Sequence, residues 1–88
     1  MGGTCPKLVG KSRSGMVACY AYSDYVSTCR EFLELTDGVE VPTILVLGRR
    51  YLVIEVLPSR ALVRIELGEL SRKVMESVVL LLKSFRRG

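Results

Sequence analysis

The chain has 88 residues, 49% of them hydrophobic, and a formal charge of +4. One small domain of this size buries only about 60–65% of its unfolded surface, so self-association or a partner that adds burial is expected. With no His and no C-x-x-C pair an ordinary zinc set is excluded, the charge is modest for a dedicated nucleic-acid binder, and the longest apolar run, VVLLL at 78 to 82, falls far short of the roughly 20 residues that span a bilayer.

Residues 1–15, MGGTCPKLVGKSRSG, combine Gly, Ser and basic side chains without an apolar period, and are expected to form a flexible basic N-terminal arm preceding a single α+β domain over 16–88. The fragment VGKS within it resembles the end of a phosphate-binding loop, but the first glycine position is occupied by Cys5 and no strand is read before it, so the fingerprint fails. No apolar stretch of signal-peptide type opens the chain, which makes a soluble, cytoplasmic protein with no membrane contact the expectation.

MVACYAY at 16–22 is apolar on both faces and reads as a buried strand. From Ser23 the period changes. Val26, Cys29 and Leu33, flanked by Tyr25, Phe32 and Thr36, share one helical face opposite Ser27, Arg30, Glu31 and Glu34. Asp24 suits the positive end of the helix dipole and Gly38 a left-handed C-cap, so the helix is placed at 23–37. Cys19 and Cys29 are expected to be small buried hydrophobes.

Val41, Pro42 and TILVL form a second strand, and YLVIEV at 51–56 a third, joined by Gly48-Arg49-Arg50 as a hairpin. Gly48 is expected to supply the backbone freedom of the reversal while Arg49 and Arg50 keep its tip solvated. RALVRIELGEL, from 60 to 70, fits either a strand, through Val63, Ile65 and Leu67, or a helix start behind Pro58 and Ser59. Gly68 favours a break there, since glycine inside a helix costs about 1 kcal/mol against Ala.

The last segment is helical, with Leu70, Val74, Met75, Val78, Leu81, Leu82 and Phe85 on one half of the wheel and only Leu80 among the apolar residues of the other. So wide an apolar face exceeds what a small sheet requires, which makes Val74, Met75, Val78, Leu80, Leu81, Leu82 and Phe85 the expected protein interface. Lys83, Arg86 and Arg87 suit the negative end of that helix. The fold expected is therefore α+β, a small antiparallel sheet of three or four strands with two helices on one face, in the order β-α-β-β-(β)-α.

Charge is uneven along the chain. Residues 1–20 carry Lys7, Lys11 and Arg13 with no acid, 21–47 carry a net −4, and 48–88 a net +5. Lys11, Arg13, Arg49, Arg50, Arg86 and Arg87 are the candidate nucleic-acid contacts, although GRRYLVIEV offers only Tyr51 for stacking where an RNA-binding sheet presents several aromatics. No carboxylate pair, His-assisted nucleophile or metal set is visible, and neither enzyme activity nor a cofactor is expected. The absence of Asn and Gln from all 88 residues points to a hot-adapted, archaeal source.

The order strand, helix, strand, Gly-basic turn, strand, C-terminal helix resembles the CTAG/Pcc family, the small dimerising subunit of the KEOPS complex. The resemblance is carried by residues 44–85: the hairpin ILVLGRRYLVIEV, and VRIELGEL, similar to the family's L-R-x-x-x-N-x-x-L helix opening with Arg64 at the arginine and Gly68 in place of asparagine. It implies a non-catalytic subunit that dimerises, with itself or with a paralogue, through sheet and helices and docks the ATPase-fold catalytic subunit, with Arg64 added to the interface. The complex makes threonylcarbamoyladenosine at tRNA position 37, so a tRNA contact is also implied. The alternative reading is a small basic nucleic-acid-binding protein of a thermophile.

Overall fold

A computed structural model describes residues 5–85. The described chain is α+β, with a five-stranded mixed sheet and two helices. The strands are β1 (Lys7–Lys11), β2 (Val17–Ala21), β3 (Thr43–Leu47), β4 (Tyr51–Val56) and β5 (Ala61–Glu66), laid side by side in chain order. Helix α1 (Val26–Leu35) follows β2, and α2 (Arg72–Ser84) follows β5.

Two expectations about the sheet are corrected. It has five strands instead of three or four, and it is not purely antiparallel: β2 and β3 run parallel in the register Val17↔Thr43 to Ala21↔Leu47, while the other three pairings are antiparallel. The cause is α1, which carries the chain from the end of β2 back to the start of β3, as a crossover between parallel neighbours must. The fifth strand comes from the stretch expected to be an arm. Lys7 and Lys11 bound β1 at the sheet edge, and a register shift falls between Leu8 and Gly10. Short length, lysines and a bulge are how exposed edges avoid pairing with other chains.

Residues 61–66 are strand, which settles the ambiguous stretch, and Gly68 lies in a 3-10 turn over Leu67–Glu69. The β4–β5 turn places Arg60 at φ 60°, the left-handed region. At the β3–β4 turn Gly48 does not take positive φ, and a Cβ there would sit 3.4 Å from the Tyr51 carbonyl oxygen, an ordinary contact distance, so the reversal does not use the backbone freedom expected of this glycine.

The first helix begins later and ends earlier than 23–37: Ser23–Tyr25 is a 3-10 turn, and α1 closes at Thr36, whose hydroxyl donates to the Leu33 carbonyl at 2.7 Å. Gly38 takes φ 95° just beyond, as expected of a terminating glycine. Ser71 caps α2, its hydroxyl accepting from the Val74 N–H at 3.2 Å. Arg72, at the dipole's unfavourable end, is offset by Glu31 of α1 at 3.0 Å and Glu76 at 3.4 Å. The Glu31 hydrogen bond is the first cause of its raised guanidinium pKa.

Both helices cover the same face of the sheet. The core comprises the alternate strand positions Val17, Cys19, Leu45, Leu47, Leu52, Ile54 and Val56 with Cys29 and Phe32 of α1 and Met75, Val78, Val79 and Leu82 of α2. Cys19 and Cys29 are fully buried as expected, but they are joined to each other as a disulfide with a Cα–Cα distance of 5.9 Å. This corrects the reading of two independent buried thiols, and it ties α1 directly to the strand it follows. Cys5 is free and exposed.

Candidate interaction surface

Because side chains alternate across a pleated strand, the positions between the core residues all point to the opposite face. On β2 these are Ala18 and Tyr20, on β3 Ile44 and Val46, on β4 Tyr51, Val53 and Glu55, and on β5 Leu62, Arg64 and Glu66. None of them belongs to the core or packs against it. Among the described residues no element covers this face.

The ladder arranges these side chains in rows across the sheet. One row runs Leu8, Tyr20, Val46, Val53, Arg64; the next runs Lys11, Ala18, Ile44, Glu55, Leu62. Each row is apolar through its centre. Leu8 is 50% exposed and Leu62 64% exposed, while Ile44, Val46 and Val53 are half-buried only by their neighbours in the same layer. Fully covered sheets read as continuous apolar runs, and TILVL and YLVI have that composition although helices cover one side only.

One end of this face is aromatic and basic. The Arg49 guanidinium lies over the Tyr22 ring at 4.8 Å, and that of Arg64 over Tyr51 at 4.6 Å. Tyr25, Arg49, Arg50 and Tyr51 line a shallow cleft there together with Glu66. The Arg50 carbonyl accepts from the Leu67 N–H at 2.8 Å, which fixes the hairpin against the end of β5. The arginines at the hairpin therefore do more than solvate its tip: Arg49 makes a cation–π contact of the kind that gains as it is desolvated.

The residues expected at the interface are divided by the fold. Met75, Val78 and Leu82, with Val79, face inward and seal the protein's own core. Val74 and Phe85 are half-buried against it. Leu80 and Leu81 are exposed, at 69% and 46%. The breadth of the apolar face on α2 is thus mostly accounted for by the protein's own core. Arg64 lies on β5, not in a helix, and VRIELGEL as a whole is strand followed by a 3-10 turn.

Among the described residues, the candidate nucleic-acid contacts do not converge on one patch. Lys11 and Arg13 line a cleft with Glu34 and Asp37, far along the sheet from the Arg49–Arg50 turn, and those carboxylates oppose phosphate. Arg86 and Arg87 lie outside the described residues. The open sheet face escaped the sequence reading, although the strands carried its signal: apolar residues at both parities, with helical cover for one.

Fold and surface together define a two-layer α+β domain with one sheet face sealed by helices and the other uncovered and largely aliphatic. Comparison with known protein families, with curated proteins and with solved structures finds no match for this chain. Among the described residues no helix is long and apolar enough to cross a membrane.

Proposed function

We propose that this protein is a non-catalytic subunit that works by binding other protein chains, and that the uncovered sheet face is its principal contact. The observation that carries this reading is the adjacency of Ala18, Tyr20, Ile44, Val46 and Val53 on three neighbouring strands with none of the described residues packed over them. An exposed contiguous apolar patch of this kind marks a protein interface more often than any other role. Leu80 and Leu81 on α2 supply a second, smaller contact on the opposite side.

The resemblance to the CTAG/Pcc family gives the subunit a setting: an archaeal KEOPS-type complex in the cytoplasm, where it would dimerise and dock the ATPase-fold catalytic subunit for threonylcarbamoyladenosine synthesis at tRNA position 37. The hairpin ILVLGRRYLVIEV and the amphipathic α2 support that assignment. A buried disulfide in a chain without Asn or Gln also suits an intracellular protein of a hyperthermophile, where such bonds are common.

Reconstitution with the catalytic KEOPS subunit of a thermophilic archaeon tests the setting. A stable complex is expected, weakened about tenfold by Leu80→Glu if the α2 contact takes part in it; absence of any complex sinks the KEOPS assignment.

A second reading, single-stranded RNA binding, is favoured by the Tyr22–Arg49 and Tyr51–Arg64 pairs at one end of the sheet. It requires tRNA affinity that falls steeply with salt, with a salt slope reduced by about two in Arg49→Ala/Arg50→Ala. Unchanged affinity and slope in that variant would remove the hairpin from any such role.

A further inference from the structure

We infer that the cleft between the start of β1 and the start of α1 binds a small organic anion, a carboxylate or phosphate monoester carrying an apolar body. Such a ligand would be held whether or not the open sheet face carries a partner.

The cleft has a volume of about 390 Å³. Small-molecule sites run from about 300 to 1,000 Å³ and are walled mainly by apolar side chains, with a few polar groups that orient the ligand. Here the apolar wall is Leu8 and Val9 of β1, Ala21 at the end of β2 and Val26 at the start of α1. Lys7 and Arg30 bring two cations, and Ser23 a hydroxyl. Among the described residues no carboxylate lines the cleft, and neither Lys7 nor Arg30 has an ion pair or a side-chain hydrogen bond.

Three other clefts differ on that point. Lys11 and Arg13 share theirs with Glu34 and Asp37, Arg49 shares one with Asp24, and Arg49 and Arg50 share another with Glu66. In each a carboxylate competes for the cations and repels a ligand anion. Of these four clefts, the one at Lys7 and Arg30 alone joins unopposed positive charge to an aliphatic wall. Its position also suits a ligand. Lys7 pairs with Ala21 in the ladder, so the head of β1 lies beside the carboxyl end of β2, and α1 departs from that same end. Ligands of open α/β sheets gather outside the carboxyl ends of strands. The charged head would lie between Lys7 and Arg30, whose N–H groups make charge-assisted hydrogen bonds to carboxylate or phosphate oxygens. The apolar body would follow the aliphatic wall, which the stems of both cations extend.

Cys5, free and exposed, lines the same cleft and reports on its occupancy. Octanoate and octyl phosphate are the probes, with octanol and inorganic phosphate as controls. Alkylation of Cys5 by iodoacetamide, followed by intact mass, is expected to slow saturably with at least one of the two probes and with neither control. By titration calorimetry, affinity should rise about two- to fourfold per methylene from butanoate to octanoate, as partial to full burial of each CH2 requires. Lys7→Gln/Arg30→Gln, with its circular dichroism unchanged, should weaken binding of the same probe by about tenfold, the loss of two exposed charge contacts.

Equal protection by octanol reduces the cleft to apolar adhesion, and affinity that ignores chain length reduces it to an adventitious ion only; either result overturns the site. So does binding that leaves Cys5 alkylation unchanged or survives the double substitution at full strength, since the anion then sits elsewhere. Absence of binding by both probes overturns it outright. Should the double variant fail to fold, Cys5 protection and the chain-length series on the wild type decide alone.

Discussion

Reduction of the Cys19–Cys29 bond is expected to lower the melting temperature by roughly 10–20 °C. The bond closes a loop across a sequence separation of 10 residues, and the chain-entropy estimate for a loop of that length is about 3 kcal/mol. In a domain of this size each kcal/mol moves the midpoint by about 4–8 °C. The effect should be visible by calorimetry with and without a reductant, and Cys19→Ala/Cys29→Ala should reproduce most of it. Thiol counting supplies the control: Cys5 is free and exposed, so unfolding the untreated chain in denaturant should leave one reactive thiol, and reduction should raise the count to three. Three reactive thiols without reductant, or melting that ignores reduction, would contradict the bond or its role.

Phe32→Ala is expected to cost about 3–5 kcal/mol, the usual range for emptying a buried aromatic site. Phe32 is fully buried on α1, three residues on from Cys29 of the disulfide, in the same core that Met75, Val78, Val79 and Leu82 of α2 join. Against a total stability of about 5–15 kcal/mol such a loss leaves a marginal protein. Val53→Ala, on the uncovered face, should cost less than about 1.5 kcal/mol under dilute conditions, because neighbouring side chains shield it but no layer packs on it. Chemical denaturation of both variants measures the asymmetry. Equal losses would mean that the two faces of the sheet are equally packed, contrary to the one-sided placement of the helices.

Local pattern revealed much of this fold and little of its surface. The apolar face of α1, the terminating Gly38, the hairpin around Gly48 and the amphipathic α2 were all legible, because helical period and turn chemistry are written in consecutive residues. Strand β1 was not. Its two lysines and Gly10 mute the apolar signal of Leu8 and Val9, and an edge strand with one neighbour requires little more. The parallel pairing of β2 with β3 is not carried by the composition of either strand; it follows from α1, which as a helical crossover returns the chain to the start of β3. The disulfide lay beyond local reading altogether, since only packing brings a strand position and a helix position within bonding distance.

The same lesson applies to the interface. The half-cylinder of apolar residues on α2 suggested a partner for the helix, yet Met75, Val78, Val79 and Leu82 are satisfied by the protein's own five strands. Excess apolar surface does remain, as expected for a small chain that is 49% hydrophobic, but most of it is on the sheet. Ile44, Val46 and Val53 sit where a solvated antiparallel sheet would alternate to polar residues.

Sedimentation equilibrium of the wild type beside Val46→Glu and Leu80→Glu tests the role of the sheet face most directly. A mass twice that of the 9.8 kDa chain is expected for the wild type and for Leu80→Glu, with Val46→Glu reduced to the single-chain value. A wild type that stays at 9.8 kDa into the high micromolar range, or an association broken by Leu80→Glu and untouched by Val46→Glu, would contradict it.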